Sequence, residues 1–209
     1  MNLPNRLTVA RLFLTAFFVA AMTSAWRMTA TSGPPPAMSW AWGYTAGLLL
    51  FIAASITDYL DGEIARRRNL ITDFGKLMDP LADKVMMAAA FICLIPEHAI
   101  PSWAVIVIIS REFLITGLRL LAAGKGVVLS ADKLGKHKTA WQIICVLYFL
   151  ALLSLAEMQR AGWFSLGMMW TDAWKVGGPL LIALVLVLTL YSGVGYVRRN
   201  WAVITSGSM

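Results

Sequence analysis

The sequence predicts an all-α integral membrane protein, built as a single domain over residues 1–209 with six transmembrane helices. The composition is that of a membrane protein, because 59% of the residues are hydrophobic, only 14% are charged and the mean hydropathy is +0.70. The apolar residues form six long runs, and the basic residues cluster at one side of those runs. The same composition excludes an ordinary soluble domain and a disordered chain.

Six apolar runs are long enough to be spans, since about 20 helical residues cross a hydrocarbon core of about 30 Å. The third and fifth runs are short of apolar residues, so we expect their helices to extend into polar residues at one end. Three successive prolines, Pro34 to Pro36, cannot continue a helix and predict an outer loop over residues 31–39. The runs cover residues 7–25, 42–60, 80–95, 103–123, 139–156 and 176–197.

The basic residues predict the orientation. If the N-terminus is cytoplasmic, the inner face and the adjoining helix ends hold 15 of the 18 basic residues, and Arg27, Arg160 and Lys175 lie outside. This is the positive-inside pattern. Six spans then return the C-terminus, with Arg198 and Arg199, to the cytoplasm. An alternative is that residues 1–25 form a cleaved signal peptide, but the other five spans would keep the same orientation.

The cysteines, histidines and tryptophans argue against a disulfide scaffold, a zinc site and a nucleic-acid surface. Cys93 and Cys145 each lie alone in an apolar run, which excludes a disulfide scaffold. His98 and His137 fall in different predicted loops, so no zinc site is predicted. Most of the nine tryptophans lie near predicted span ends, as interfacial residues do. A nucleic-acid surface with accessible aromatic side chains is therefore not predicted.

Four aspartates stand at the facing ends of the second and third predicted spans. Asp58 and Asp61 are separated by one helical turn, as are Asp79 and Asp83, so each pair shares a helix face. Four ionised carboxylates at full bilayer depth would cost on the order of 10–14 kcal/mol, which calls for partners or metal ions. Oxygen ligands from two helices suit hard cations such as Mg²⁺ or Mn²⁺. Alternatively, the aspartates cap helix ends or pair with Arg66, Arg67, Arg68, Lys76 and Lys84.

The residues between the aspartates suit a phosphate ligand. Gly62 removes a side chain where a ligand could approach the helix, and Arg66, one turn further on, could bind a phosphate. Gly75 permits a tight connection. Asp79 followed by Pro80 suits a helix start, because proline is tolerated in the first turn.

This segment resembles, at every defined position, the signature of the CDP-alcohol phosphotransferase family. The resemblance implies a six-helix membrane enzyme that transfers a substituted phosphoryl group from a CDP-linked donor to an alcohol and releases CMP. It also implies two divalent cations and a homodimer. The matching string is Asp58-x2-Asp61-Gly62-x2-Ala65-Arg66-x8-Gly75-x3-Asp79-x3-Asp83.

The resemblance also assigns roles to individual residues, which spacing alone does not. Asp83 is implied to be the general base as well as a metal ligand. The implied metal ligands are Asp58, Asp61, Asp79 and Asp83. The implied contacts to the CDP part of the donor are Gly62, Ala65, Arg66 and Thr72.

A second polar constellation begins in the middle of the fourth run, where an arginine is rarely without a function. Because adjacent residues point apart on a helix, we expect that Arg111 and Glu112 cannot simply neutralise each other. Together with lysines before the fifth run, Arg111 could bind a doubly charged phosphate. The lysines alone could instead contact anionic lipids. The basic residues of this constellation are Arg111, Arg119, Lys133, Lys136 and Lys138.

Three further segments are similar to those members of the family that act on CDP-diacylglycerol and glycerol 3-phosphate. This resemblance implies an active site at the cytoplasmic side of a bacterial inner membrane, with phosphatidylglycerophosphate and CMP as products. With such an acceptor, we expect the basic residues Arg111, Arg119, Lys136 and Lys138 to bind its phosphate. The segments are Asn2-Leu3-Pro4-Asn5-Arg6-Leu7-Thr8-x2-Arg11, Ser110-Arg111-Glu112 and Gly135-Lys136-His137-Lys138-Thr139-x2-Gln142.

Two alternatives stay open. Another member of the family would share the aspartates but use inositol phosphate, serine or phosphatidylglycerol as the acceptor. A secondary transporter would also carry intramembrane charges, but it usually has two related halves. The sequence holds no second copy of the aspartate segment, which favours an enzyme.

Overall fold

The fold is that of a computed structural model, which describes residues 3–31, 42–68, 73–124, 127, 129, 133–163, 165, 167, 170 and 172–201. The description covers the backbone alone for residues 3–4, 28–31, 60–68, 73–77, 79–80, 133–134 and 136. All of the regular structure in these residues is helical.

Six long helices follow one another in the described part of the chain, and each overlaps one of the six predicted runs. The second, third and fifth extend past the predicted runs into polar residues, as expected for the third and fifth. A π-helical turn, Ala173–Gly177, leads into the last helix. The helices are α1 (Leu3–Thr31), α2 (Gly43–Arg68), α3 (Asp73–Cys93), α4 (Ser102–Gly124), α5 (Lys133–Arg160) and α6 (Gly178–Arg199).

Three stretches of the described residues are long and apolar enough to cross a membrane: Asn5–Arg27, His137–Arg160 and Ala173–Arg199. The prediction of an all-α membrane protein is therefore confirmed. The count of six spans and the cytoplasmic termini stay predictions. In α4, for example, Arg111, Glu112 and Arg119 interrupt the apolar sequence. Composition alone therefore does not identify this helix as a membrane span.

The helices pack into a bundle with an apolar core. α1 lies against α2 and α3, α5 lies between α2 and α6, and α4 packs on α3 and α6. The rings of Phe18 and Phe51 are buried with their centroids 6.0 Å apart. α1 and α2 approach closely at Gly43, where a Cβ atom would lie 2.6 Å from the Cβ of Ala25. A larger residue at position 43 would push these two helices apart.

The outer surface of the bundle is apolar. Large hydrophobic side chains such as Phe13, Phe113 and Leu180 are each more than 60% exposed. A water-soluble protein rarely exposes so many, whereas a lipid bilayer solvates them. The surface therefore agrees with the membrane assignment.

A buried carboxylate caps the start of α2 from a different helix. Glu157 of α5 accepts hydrogen bonds from the backbone N–H groups of Tyr44 (3.1 Å) and Thr45 (2.8 Å) and from the Thr45 hydroxyl (2.8 Å). The first N–H groups of a helix have no partner within it, so Glu157 satisfies donors that burial would otherwise leave unpaired. This cap lies at the end of α2 opposite Asp58.

We expect Glu157→Ala to lower the free energy of unfolding by about 1–3 kcal/mol, because it leaves buried N–H donors unsatisfied. Thermal unfolding in detergent measures the loss. Glu157→Gln keeps one carbonyl oxygen as an acceptor and should retain part of the stability. An unchanged unfolding midpoint in Glu157→Ala would show that the cap contributes nothing.

Candidate active site

The two predicted aspartate pairs lie on neighbouring helices, Asp58 and Asp61 on α2 and Asp79 and Asp83 on α3. The side chains of Asp58 and Asp83 are described, whereas those of Asp61 and Asp79 lie outside the described residues. Along the backbone, Asp61 is one turn from Asp58 and Asp79 is one turn from Asp83.

Asp58 forms an ion pair with Arg11 of α1, through Nη1 of the arginine and Oδ1 of the aspartate. The Arg11 side chain is fully buried, whereas that of Asp58 is 42% exposed. The arginine therefore anchors the carboxylate from inside the bundle and leaves part of it open to a ligand. The sequence predicts no role for Arg11, which lies within one of the segments that carry the resemblance. An arginine inside the apolar run 7–25 was the signal that could have found it.

Asp83 lies in a charged environment built by four other helices. The charges of Arg11 (α1), Asp58 (α2), Glu112 (α4) and Lys138 (α5) all act on its carboxyl group. The structure thus brings the predicted base together with one predicted metal ligand and one predicted acceptor residue. Clusters of interacting charged groups like this one are typical of functional sites.

A cavity of about 360 Å³ opens between α3, α4 and α5 beside Asp83. Its walls are largely apolar and include Phe91, Ile108 and Phe113. Its volume falls within the usual range for small-molecule sites. The polar side chains that line it are Asp83, Lys84, Glu112, Thr116, Thr139 and Gln142.

Glu112 is the centre of a charged network in this cavity. Its Oε1 atom accepts from Nη1 of Arg111 at 3.1 Å and also from Nζ of the buried Lys138. The expectation that Arg111 and Glu112 cannot neutralise each other is therefore wrong. Both side chains are long, so they bend toward each other along the helix surface although their Cβ atoms diverge.

Two of the predicted acceptor residues, Lys138 and Arg111, meet at Glu112. Arg111 also reaches toward α6, where its Nη2 atom donates to Ser192 (3.0 Å). Arg119 likewise reaches toward α6, where its Nε atom donates to Tyr196 (3.2 Å). The guanidinium of Arg119 also lies 5.4 Å from the centre of the Tyr196 ring, a cation–π distance.

The other residues predicted to contact the donor or the acceptor have side chains outside the described residues. Gly62, Ala65 and Arg66 belong to the last turns of α2, whose side chains lie outside the described residues. Thr72 also lies outside them, as does the Lys136 side chain. Their roles stay predictions.

The donor chemistry of Asp58 and Asp83 fits hard divalent cations. The two carboxyl groups come from neighbouring helices and act on each other electrostatically, which is costly unless cations offset the repulsion. Within the described side chains, no group of three or more His, Cys, Asp or Glu forms a metal site. Asp61 and Asp79, which would complete the set, are outside that search.

Fold and site together define a helical membrane protein with a cluster of charged side chains inside its bundle. A family model described as CDP-alcohol phosphatidyltransferase matches residues 1–190, and the chain belongs to this family. The match includes all four aspartates, Glu112, Lys138 and Gln142.

Curated relatives match most of the chain. A Bacillus subtilis protein is 48% identical over 148 residues, which are 69% of this chain and 74% of the relative. A Rickettsia felis protein is 32% identical over 197 residues, which are 94% of each chain. A Treponema pallidum protein is 33% identical over 159 residues, covering 76% of this chain and 71% of the relative. All three relatives are named CDP-diacylglycerol--glycerol-3-phosphate 3-phosphatidyltransferase.

Proposed function

We propose that this protein transfers the phosphatidyl group of CDP-diacylglycerol to glycerol 3-phosphate, giving phosphatidylglycerophosphate and CMP. The observation that carries the proposal is the position of Asp83, beside a cavity that also exposes Glu112, in a chain of this family. The names of relatives that align over most of this chain support the same donor and acceptor.

Asp83 is the proposed general base. It accepts the proton of the attacking hydroxyl while a new bond forms between the acceptor oxygen and the phosphorus atom of the donor. The bond from that phosphorus to CMP breaks, and CMP leaves with the electron pair. The largely apolar walls of the cavity exclude water, which would otherwise compete with the acceptor as a nucleophile.

The family uses divalent cations, and we propose that Asp58, Asp61, Asp79 and Asp83 would hold two of them, Mg²⁺ or Mn²⁺. When bound, these ions supply positive charge to the pyrophosphate and to the departing CMP. Arg11 keeps the Asp58 carboxylate oriented from the buried side. Gly62, Ala65, Arg66 and Thr72 would contact the CDP part of the donor.

The acceptor phosphate would be held by basic residues. Lys138 is best placed, because it already lies beside Glu112 and acts on Asp83. Arg111 reaches the same network through Glu112. Arg119 and Lys136 complete the proposed set.

We further propose six spans with both termini in the cytoplasm, the active site at the cytoplasmic face of a bacterial inner membrane, and a homodimer. Labelling of single cysteines tests the orientation, after Cys93 and Cys145 are replaced by alanine. Ala161→Cys, just past the end of α5, should react with an impermeant reagent in intact spheroplasts, whereas Gly124→Cys, at the end of α4, should react only after permeabilisation. Labelling of Gly124→Cys in intact spheroplasts would overturn the map.

An acceptor panel tests the proposed reaction. Purified protein with CDP-diacylglycerol is offered glycerol 3-phosphate, inositol phosphate, serine and phosphatidylglycerol in separate reactions, and CMP release is measured. We expect release to be fastest with glycerol 3-phosphate. Faster release with any of the other three would assign a different acceptor within the same family.

A further inference from the structure

One buried polar atom in the cavity lacks a partner. The side chain of Gln142 is only 3% exposed, and its Nε2 atom makes no hydrogen bond to any described residue. Leaving an amide donor unpaired in a buried place is unfavourable, so such atoms are rare unless they serve a ligand. Because Gln142 lines the cavity that Asp83 also lines, a ligand in this cavity can reach it.

A hydrogen-bond acceptor, Glu112, lines the same cavity as this donor. Gln142 is one turn from Lys138 on α5, so both side chains lie on one face of the helix. Lys138 holds Oε1 of Glu112, and Glu112 lines the cavity as well. The cavity therefore presents an amide donor and a carboxylate acceptor to the same space.

The charges in the cavity select the kind of group that this pair can bind. Asp83 and Glu112 bring two carboxyl groups to the lining. Glu112 accepts from Lys138 and Arg111, and the lining ammonium of Lys84 donates to Thr116. Asp83 would repel a phosphate dianion, so we expect a neutral group beside it and the phosphate at the basic residues that hold Glu112. A hydroxyl group can accept from Gln142 and donate to Glu112, and thus satisfies both.

We propose that Gln142 and Glu112 form a subsite for the hydroxyl that neighbours the attacking hydroxyl of the acceptor. The subsite selects a 1,2-diol over a simple alcohol. It rests on the proposed function, since it requires that Asp83 binds the attacking hydroxyl. Only two carbon atoms separate the hydroxyls of a 1,2-diol, so both must enter the same cavity. The phosphate of the acceptor then points away from Asp83, toward Lys138 and Arg111, which lie beside Glu112.

Two acceptors that differ by one hydroxyl test the subsite. Glycerol 3-phosphate carries the secondary hydroxyl and 3-hydroxypropyl phosphate lacks it. We expect the wild-type protein to prefer glycerol 3-phosphate by about ten- to a hundredfold in kcat/KM for CMP release, the usual effect of a charge-assisted hydrogen bond. Gln142→Met keeps the length of the side chain and removes the donor. It should lower kcat/KM for glycerol 3-phosphate by about tenfold and change that for 3-hydroxypropyl phosphate by less than about twofold.

Stability separates this role from a structural one. Gln142→Met removes an unpaired buried donor, so its unfolding midpoint should stay the same or rise. Thr189→Val is the matched control, because the Thr189 hydroxyl is also buried without a partner among the described residues but does not line this cavity. It should leave both acceptor constants unchanged. Glu112→Gln should also lose the preference, but it removes the charge that holds Lys138 and Arg111, so Gln142→Met decides the question.

Each outcome bears on one proposal only. Equal losses of kcat/KM with both acceptors in Gln142→Met, or no wild-type preference, would overturn the hydroxyl subsite. Efficient CMP release with glycerol 3-phosphate in the same experiment would leave the proposed function standing. Failure of the wild-type protein to release CMP with either acceptor would instead contradict the proposed function.

Discussion

Asp83→Asn is expected to lower kcat for CMP release by about 10²–10⁴-fold, the usual contribution of a general base. The amide keeps the shape of the carboxyl group but cannot accept the proton of the acceptor hydroxyl. Because that proton moves during the chemical step, binding of CDP-diacylglycerol should largely survive. Direct binding measurements with saturating Mg²⁺ separate the two effects.

Asp58→Ala provides the contrast. Asp58 is proposed to hold metal and is paired with Arg11, so its loss should weaken metal and donor binding together. Glu157→Gln makes the same carboxylate-to-amide change at the opposite end of the bundle and should keep its kcat. Near-normal kcat in Asp83→Asn would show that another group takes the proton.

Lys138→Ala and Arg111→Ala are each expected to raise the KM for glycerol 3-phosphate by about ten- to a hundredfold, as loss of a charge-assisted hydrogen bond to phosphate predicts. The KM for CDP-diacylglycerol should move little. Arg111→Lys should restore little activity, because one ammonium cannot bridge Glu112 and Ser192 as the two guanidinium nitrogens do.

Arg160→Ala is the control for these charges, since it removes an exposed basic residue at the far end of α5. It should leave both Michaelis constants unchanged. If the Lys138 and Arg111 variants lost donor affinity and kept acceptor affinity, the basic network would serve the nucleotide or lipid headgroups instead.

The helices could be predicted from the sequence, because each is a long apolar run that charged residues interrupt or bound. The aspartate segment was also visible, since its spacing is a property of one stretch of chain. Asp83 in particular could be predicted on two grounds. An ionised carboxylate is costly within a membrane, and the residue is part of the aspartate signature of the family. The structure then placed it beside a cavity, which no spacing could show.

The partners of the charged side chains could not be predicted. That Arg11 reaches Asp58 depends on how α1 lies against α2, and that Arg111 and Arg119 turn toward α6 depends on how α4 packs. The rule that adjacent residues diverge on a helix failed for Arg111 and Glu112 because it describes Cβ atoms and not the ends of long side chains. The proposed role of Gln142 could not be predicted from the sequence, because an unpaired side-chain atom is recognised only once its surroundings are known.

In the proposed reaction, one phosphatidyl group is transferred to glycerol 3-phosphate for every CMP released. The most direct measurement reconstitutes the purified protein in liposomes with CDP-diacylglycerol, Mg²⁺ and radiolabelled glycerol 3-phosphate, and quantifies both products. The proposed reaction predicts equal molar amounts of CMP and lipid-borne label, with both lost in Asp83→Asn. Release of CMP without labelled lipid, or label in lipid without CMP, would contradict it.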